Sequence, residues 1–322
     1  MVDLSVSIVN WNGKGFIESC LKSILEARGS LSLEIFVVDN ASSDGSQASI
    51  REQFPGVILI ENRENRGYAA ANNQALEKAR GCYLLVLNSD TVAQKGSLEN
   101  MVRFMETHPG VGAVGPKLLN LDGTLQPSFS RRFPNLLDLF LSEVFFLSNI
   151  YYCLARSTLG TKVFSRRLGA VEPKEVAWIG GACMLVRREI LQTVGGMDEH
   201  FFFYREDCDW CLRIRNAGWK VGYYPKAVFT HLWGQSSQRN FEKISFEARR
   251  SSLYFFKKHQ GQAGFLIAKF LILSGLLLRW IYLSLGSFFV RDSFKTKATT
   301  FKKMIPTFWR MRDPSNGSWR PS

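Results

Sequence analysis

The chain has 322 residues, of which 46% are hydrophobic, and a formal net charge of +13 at pH 7. This composition excludes an intrinsically disordered chain and allows one large domain with an appendage. The charge is uneven, because residues 1–248 carry 27 basic and 26 acidic side chains, whereas residues 249–322 carry 14 and 2. The basic residues of this tail flank an apolar run, so we expect an anionic membrane surface and no nucleic acid as its partner.

Strands and helices alternate in the first third of the chain. Continuous apolar runs predict strands at residues 4–9, 33–39, 57–60 and 83–90. Apolar residues at helical spacing follow the first strand at 16–25, and a helix is predicted at 67–79. This alternation is typical of an α/β fold, with a mainly parallel sheet and helices on both faces.

Polar residues follow each of these four strands. Ligands of open parallel sheets bind beyond the carboxyl ends of the strands. Those ends read Asn10-Trp11-Asn12, Asp39-Asn40, Glu61-Asn62 and Asn88-Ser89-Asp90. Each one alone is compatible with an ordinary turn. Four successive strands that end in an amide or an acid predict a binding edge.

Glycine-rich phosphate loops of the GxGxxG or GxxxxGK[ST] type do not follow the first strand. A diphosphate at this edge would therefore need a divalent cation on Asp90. Mg²⁺ or Mn²⁺ suits this position, because these ions take one or two carboxylates together with phosphate oxygens. Such an ion also acts as a Lewis acid for a departing diphosphate.

Three acids stand at a predicted helix start in the stretch from Gly195 to Trp219. An aromatic row at 201–204 leads into Glu206, Asp207 and Asp209, and a helical spacing of apolar residues follows. Acids at a helix N-terminus complement the helix dipole, which contributes about 0.3–1 kcal/mol per charge. A partly desolvated aromatic pocket would instead favour a general base. The rest of the chain favours the second interpretation.

Cysteine usage indicates a reducing compartment. The six cysteines are scattered, and nothing that resembles a secretory signal follows Met1. Cys208 and Cys211 have the spacing of a redox or zinc pair. No second Cys/His pair stands nearby and both fall on a predicted helix, so we expect neither role.

Two apolar segments have the composition of membrane contacts. In the insertion at 131–168, the polar residues from Leu136 to Leu154 form one narrow stripe, which suits a helix in a membrane interface or along a lipid-acceptor groove. A helix buried by the domain itself is the alternative. The run Phe265–Val290 is long enough to span a bilayer. Lys269 and Arg279 interrupt it, which favours helices lying on the surface.

Seven motifs carry a family resemblance. Four motifs resemble the nucleotide half of the inverting family 2 glycosyltransferases of the GT-A fold. They are VSIVNWN at 6–12, VVDNASSDGS at 37–46, NRGYAAANN at 65–73 and LLVLNSD at 84–90. The acceptor half resembles WIGGACMLVRRE at 178–189, GGMDEHFFFYREDCDWCLRIRNAGW at 195–219 and HLWGQS at 231–236. Within this family the chain looks most like bacterial rhamnosyltransferases that use dTDP-rhamnose. The resemblance covers about residues 4–236.

The resemblance implies a role for each matching position. Asp39 would bind the pyrimidine base, and Asp207 would be the catalytic base with Glu206 in support. Asp90 closes an Asp-x-Asp element and would bind Mg²⁺ or Mn²⁺, with His231 completing the coordination. The first Asp of that element is replaced here by Asn88. The remaining donor-site residues are Val9, Asn10, Trp11, Asn65, Gly67 and Asn72, and the remaining acceptor-site residues are Trp178, Gly180 and Gly181.

The sequence therefore predicts a GT-A domain at residues 1–248 and a basic, apolar helical region at 249–322 that associates with membrane. We expect a cytoplasmic-face, peripheral, inverting glycosyltransferase that moves a sugar from a dTDP- or UDP-sugar donor. Its acceptor would be a saccharide or a lipid-linked saccharide of cell-surface polysaccharide synthesis. A UDP-hexose or UDP-HexNAc transferase of the same fold and a catalytically dead sugar-nucleotide-binding scaffold are the alternatives.

Overall fold

The computed structural model describes residues 2–145, 172–232, 241–286 and 292–315. These residues form two compact units. The first contains residues 2–133, 172–202 and 206–232, and the second contains 134–145, 203–205, 241–286 and 292–315. The predicted domain boundary after residue 248 lies within a helix that begins at Phe241. The boundary between the two units therefore lies earlier in the chain than the boundary that the charge distribution indicated.

A mixed, mainly parallel sheet forms the first unit. Its strands are β1 Leu4–Asn10, β2 Leu33–Asp39, β3 Ile58–Glu61, β4 Tyr83–Asn88, β5 Thr91–Ala93, β6 Val111–Leu119, β7 Leu125–Gln126, β9 Lys174–Glu175, β11 Cys183–Arg187 and β12 Lys220–His231. The order across the sheet is β3-β2-β1-β4-β11-β6-β12-β5, with β7 paired to β6 and β9 to β12. A separate antiparallel pair consists of β8, Phe129–Ser130, and β10, Trp178–Ile179.

Helices cover both faces of this sheet. They are α1 Lys14–Ala27, α2 Ser46–Gln53, α3 Tyr68–Leu76, α4 Ser97–Thr107, α6 Glu189–Thr193 and α7 Glu206–Asn216. The main core lies between one face and helices α1, α2 and α4, where every second strand residue points inward, as Val6 and Ile8 do. The opposite face of β1 binds α3, since the hydroxyl of Ser7 donates to Oδ1 of Asn72.

The strand register brings the predicted binding residues to one edge. β1, β2 and β3 run parallel, and their last residues Asn10, Asp39 and Glu61 are register partners. β4 lies on the other side of β1, where Asn88 pairs with Val9. The prediction of an α/β fold with polar residues at a shared carboxyl edge is therefore confirmed.

The second unit is helical. Its helices are α5 Leu136–Glu143, α8 Phe241–Gly286 and α9 Asp292–Arg310, and α8 is broken at Gly261, whose φ of 68° is not helical. By length and composition α8 could cross a membrane. Of the predicted amphipathic insertion, residues 134–145 belong to this unit and residues 146–168 lie outside the described part.

Candidate active site

The loop after β2 is built around the carboxylate of Asp39. This side chain is fully buried. Its Oδ2 accepts from Nδ2 of Asn10, and its Oδ1 accepts from the backbone N–H of Ser42 and from Nε2 of Gln47, each over 2.8 Å. All of these donors come from the protein itself. Gln47 is half-buried, whereas Asn10 is fully buried.

Three predicted donor-site residues lie where the chain enters α3. Oδ1 of Asn65 accepts from the N–H of Gly67 over 3.0 Å. Gly67 has a φ of 86°, and a Cβ there would lie 2.6 Å from the carbonyl oxygen of Phe202, so this close approach requires glycine. Asn72 is fully buried and bonded to Ser7. Asn72 therefore fixes the helix beneath the predicted pocket and does not line its surface.

Asp90 and His231 meet beside the ends of β4 and β12. Nε2 of His231 lies 3.2 Å from Oδ1 of Asp90, and both residues are buried. Nδ1 of the histidine lies 2.7 Å from Oε1 of Gln126, which can only accept, so Nδ1 carries the proton. Nδ2 of Asn88 also lies 3.2 Å from Nε2, and it donates to this nitrogen when Nε2 carries no proton.

This pair fits the donor set expected for a divalent metal. A carboxylate oxygen and an imidazole nitrogen with its lone pair converge on one point, and both are ligands that Mn²⁺ accepts. Gln126 fixes the tautomer and ring orientation of His231, as partners of metal-binding histidines commonly do. Among the described residues no group of three or more His, Cys, Asp or Glu side chains is arranged for a metal. Phosphate oxygens and water would have to supply the other ligands.

The carboxylate of Asp207 is held against the glycine pair. Its Oδ2 accepts from the backbone N–H of Gly181 over 2.8 Å, and its Oδ1 accepts from that of Cys208 over 2.7 Å. A Cβ on Gly180 would lie 3.9 Å from Oδ2 of Asp207. The predicted base and the predicted acceptor loop therefore lie in direct contact, and the carboxylate is only partly buried.

One short segment joins this carboxylate to the Asp90 region. The N–H of Gly181 reaches Asp207, whereas the carbonyl of the next residue, Ala182, accepts from the N–H of Asn88 over 3.0 Å. Consecutive Cα atoms are about 3.8 Å apart. The candidate base therefore contacts Gly181, and the next residue is bonded to Asn88, two positions before the candidate metal ligand Asp90.

Tyr68 fixes this segment from below. Its hydroxyl donates to the carbonyl oxygen of Gly181 over 2.6 Å. Burial, and then the negative charges of Glu206 and Asp207, raise the pKa of Tyr68 well above its usual value. The phenol therefore stays protonated and keeps donating.

Helix α7 begins at the three acids, as predicted. Glu206, Asp207 and Asp209 occupy its first turn. Nε of Arg213 donates to Oδ2 of Asp209 over 2.8 Å, and its other nitrogens donate to two backbone carbonyls of the 194–196 turn. Arg213 therefore anchors the helix, and Asp209 is its partner in this structural role.

The residues just before α7 adopt an unusual backbone. Tyr204 and Arg205 have φ values of 68° and 75°, in the left-handed region that residues with side chains rarely occupy. Such conformations cost about 1–3 kcal/mol each and concentrate at functional sites. The helix that carries Asp207 is thus entered through a strained two-residue step.

The other predicted residues make less specific contacts. Trp178 is half-buried, and its Nε1 donates to the carbonyl of Arg132 over 3.1 Å. Val9 and Trp11 are half-buried at the end of β1. Cys208 and Cys211 are buried on α7, and burial raises the pKa of Cys211 to about 12.

Three residues of the site were not found from the sequence. These residues are Tyr68, Gln126 and Gln47. Each forms a hydrogen bond to a residue that is distant in the chain or lies across a turn. Tyr68 lies within the motif NRGYAAANN at 65–73, so the sequence pointed to this segment but not to the hydrogen bond that Tyr68 makes. Gln126 gives no local signal, because its partner His231 lies 105 residues away.

Known proteins resemble this chain in sequence and in fold. A family model for glycosyl transferase family 2 matches residues 5–195. The N-acetylglucosaminyl-diphospho-decaprenol L-rhamnosyltransferase of Mycobacterium tuberculosis is 31% identical over 244 residues, which cover 71% of this chain and 76% of that relative.

Solved structures show the same architecture at low identity. The mannosyltransferase PcManGT from Pyrobaculum calidifontis, in complex with GDP-Man and Mn²⁺, matches with a TM-score of 0.53 and 18% identity over 95% of this chain and 84% of its own. GalNAc-T7, with UDP, GalNAc and Mn²⁺, matches with a TM-score of 0.51 and 16% identity over 82% of this chain and 51% of its own. At these identities both matches support the fold alone.

Proposed function

This chain belongs to glycosyl transferase family 2 and has the GT-A fold, and we propose that it transfers a sugar with inversion from a nucleoside-diphosphate donor to a saccharide hydroxyl. The observation that carries this proposal is the Asp207 carboxylate, held by the N–H of Gly181 one residue away from the segment that binds Asn88. A single displacement needs a general base close to the diphosphate site. The segment Gly181-Ala182 would place these two sites on its two sides.

In this reaction Asp207 takes the proton of the acceptor hydroxyl while that oxygen forms its bond to the anomeric carbon. The bond from the anomeric carbon to the diphosphate oxygen breaks, and its electron pair leaves with the nucleoside diphosphate. Two backbone N–H groups, those of Gly181 and Cys208, orient the carboxylate of Asp207. The acceptor hydroxyl would approach this carboxylate from the side of the glycine pair. Glu206, buried in the same turn, would support this charge arrangement.

The donor would lie along the carboxyl edge of the sheet. We assign its pyrimidine to the loop after β2, where Gln47 would give up its bond to Asp39 and the base would replace it. Oδ1 of Asn10 is buried and has no hydrogen-bond partner among the described residues, so it offers a further acceptor to the nucleoside. Val9 and Trp11 would flank the nucleoside, while Asn65, Gly67 and Asn72 would shape the loop around it.

Asp90 and His231 would hold Mg²⁺ or Mn²⁺, beside Asn88. Such an ion, when bound, neutralises the charge that develops on the departing diphosphate. The protein contributes a carboxylate fixed at the end of β4 and an imidazole whose tautomer is set by Gln126. Asp90 and His231 are both buried, and the contacts described for them include no third charged side chain. A cation bound between them would account for this pairing.

The acceptor would lie against Trp178 and the pair Gly180-Gly181, which open the face of Asp207. The name of the mycobacterial relative describes a rhamnosyltransferase acting on a decaprenol-linked saccharide. By this likeness we propose dTDP-rhamnose as the donor, a lipid-linked saccharide as the acceptor and cell-surface polysaccharide synthesis as the context. UDP-hexoses and UDP-HexNAc are the competing donors within the same fold.

A lipid-linked acceptor requires access to a membrane. We propose that the protein works peripherally at the cytoplasmic face, held there by the region 249–322 together with the insertion at 131–168. The excess of basic over acidic residues in this tail and the apolar length of α8 support the assignment.

A donor screen tests the proposed function. Thermal shifts of the full chain with Mn²⁺ are measured against dTDP-rhamnose, dTDP, UDP-GlcNAc, UDP-glucose and UDP, followed by transfer assays with the donors that stabilise. We expect dTDP-rhamnose to give a larger shift and transfer. A larger shift and transfer with a UDP-sugar would replace the donor assignment, and binding without transfer to any saccharide acceptor would instead support a sugar-nucleotide-binding scaffold.

A further inference from the structure

The second unit exposes an apolar face along the later half of α8. Between residues 266 and 285 every exposed side chain of this helix is apolar. The six that define the face, here called the apolar stripe, are Leu266, Phe270, Leu277, Ile281, Tyr282 and Leu285, with exposures from 43% to 68%. Their spacing of mainly four and seven residues keeps them on one side of a helix.

Both charges that interrupt this run are withdrawn from the apolar stripe. Nζ of Lys269 donates to the carbonyls of Trp309 and Met311, over 2.7 and 2.9 Å, at the end of α9. Lys269 thus binds carbonyls that a helix end leaves without intrahelical partners. The sequence suggested that this lysine breaks the apolar surface, and the structure directs it elsewhere.

Arg279 is also directed away from the stripe. It is 8% exposed, and its Nη1 donates to Oε2 of Glu143 on α5 over 2.6 Å. Arg249 donates to the same carboxylate oxygen. Burial lowers the pKa of Arg279 to about 10, an effect that the charge of Glu143 opposes, so the side chain stays cationic at neutral pH.

Helix α9 carries exposed basic side chains, and one of them lies near the apolar stripe of α8. Lys295, Lys297, Lys302 and Lys303 are exposed, and residues 294–310 of this helix contain no acid. Nζ of Lys302 lies 5.6 Å from the ring centroid of Trp280, the residue next to Ile281 of the stripe. Met304 and Phe308 of the same helix are buried. The unit therefore combines an apolar surface on one helix with a cationic surface on the next.

We propose that the apolar stripe of α8 lies in the plane of an anionic lipid bilayer, with the exposed lysines of α9 at the headgroups. This extends the membrane association proposed above by naming the surface and its orientation. A helix in the interface buries one face in lipid and keeps the other on protein, as α8 does with its buried Ile272, Leu276 and Arg279. A spanning helix would instead place Arg279 and its partners within the hydrocarbon.

Vesicle binding of the full chain tests this inference. The probe is a vesicle of phosphatidylcholine with 30% phosphatidylglycerol, compared with phosphatidylcholine alone. The stripe variant Phe270→Gln/Leu285→Gln removes two strongly exposed apolar groups. Its matched control is Leu121→Gln, which changes a leucine that is 73% exposed in the first unit. We expect the stripe variant to bind anionic vesicles at least about tenfold more weakly, with the control unchanged.

A second pair of measurements separates charge from apolar contact. Lys302→Gln/Lys303→Gln should lower the affinity for anionic vesicles severalfold, leave the weak binding to neutral vesicles unchanged, and reduce the salt dependence. Alkaline carbonate should release the wild-type protein. Equal binding by the stripe variant and its control, or retention of the protein until detergent is added, would overturn the inference.

The remaining outcome is contact between two copies of the chain. Light scattering of the wild type, the stripe variant and the Leu121→Gln control measures this association. If the wild type and the control are dimers and the stripe variant is a monomer, the face serves self-association and the proposal of bilayer contact is wrong. Binding of dTDP and UDP with Mn²⁺ is measured on every variant. A loss of vesicle binding with intact nucleotide binding concerns the membrane surface alone, whereas absent nucleotide binding in the wild type would refute the transferase assignment.

Discussion

The backbone N–H of Gly181 donates to Oδ2 of Asp207 across 2.8 Å, although the two residues lie 26 positions apart in the chain. This bond ties the start of β11 to the first turn of α7. It orients a carboxylate on a partly open surface, and Tyr68 holds the other polar group of the same glycine.

Replacing Asp207 with Asn should lower the transfer rate by about 10²–10⁴-fold, the usual effect of removing a general base. The amide keeps one oxygen for the N–H of Gly181 and loses only the bond to the N–H of Cys208, so the donor affinity should change little. Transfer kinetics and donor calorimetry measure the two effects separately. Glu52→Gln, an exposed acid-to-amide change on α2, is the control. Near-normal transfer by Asp207→Asn would remove the base from this position.

Gly180→Ala should fold normally and lose transfer. The added Cβ would make only ordinary contacts, 3.6 Å from the carbonyl oxygen of Ser128 and 3.9 Å from Oδ2 of Asp207. The methyl group would, however, stand beside the base where the acceptor approaches. We expect an unchanged melting temperature, unchanged donor affinity and a raised KM for the acceptor. An unaltered KM would show that this glycine does not border the acceptor.

Gln126→Ala should weaken Mn²⁺ binding by about 10–100-fold, because it removes the bond that orients His231. Electron paramagnetic resonance of free Mn²⁺ measures this affinity without requiring turnover. Gln53→Ala, which changes a glutamine at the end of α2, is the control.

Asp90→Ala should weaken nucleoside-diphosphate binding in Mn²⁺ and leave little further loss when EDTA is added. Carboxylate and ion act as one unit in this assignment, so removing either gives most of the effect. Calorimetric titration with dTDP, with and without EDTA, gives both values. Equal sugar transfer by the wild type in Mn²⁺ and in EDTA would contradict a metal at Asp90.

Gln47→Ala should leave donor binding equal to or tighter than that of the wild type. In the proposed complex the pyrimidine replaces the amide of Gln47 on Asp39, so donor binding breaks one protein hydrogen bond, whose net contribution is about 0.5–1.5 kcal/mol. The variant has no such bond to break. Competition binding with dTDP measures the change. A tenfold weaker affinity would indicate that Gln47 itself contacts the nucleotide.

Truncation after His259 should give a more soluble protein that still binds donor nucleotide. The cut falls before the break at Gly261 and removes the apolar stripe, while Glu143 keeps its contact with Arg249. Transfer to a lipid-linked acceptor should fall while donor hydrolysis persists. Sedimentation and nucleotide titration test this outcome. Failure of the shortened chain to fold or bind nucleotide would show that the removed helices belong to the core.

The sequence by itself determined strands β1 to β4 of the first unit and the edge at which they end. The run 83–87 is apolar throughout, as is common for strands buried on both faces, and parallel strands bring their carboxyl ends together. The start of α7 at its three acids was also readable, since a helix start is a local feature that depends on neighbouring residues. The motifs in their order were sufficient for the family.

The tertiary structure alone decided which side chains meet. Gly181 and Asp207, Gln126 and His231, and Glu143 and Arg279 are separated by 26, 105 and 136 residues, and no local periodicity specifies such pairs. The same holds for direction: Lys269 and Arg279 interrupt the apolar run in the sequence, yet both side chains are drawn to acceptors on other helices. A buried charge needs a partner and takes whichever one the fold brings within reach, so the surface that α8 presents follows from its packing and not from its composition.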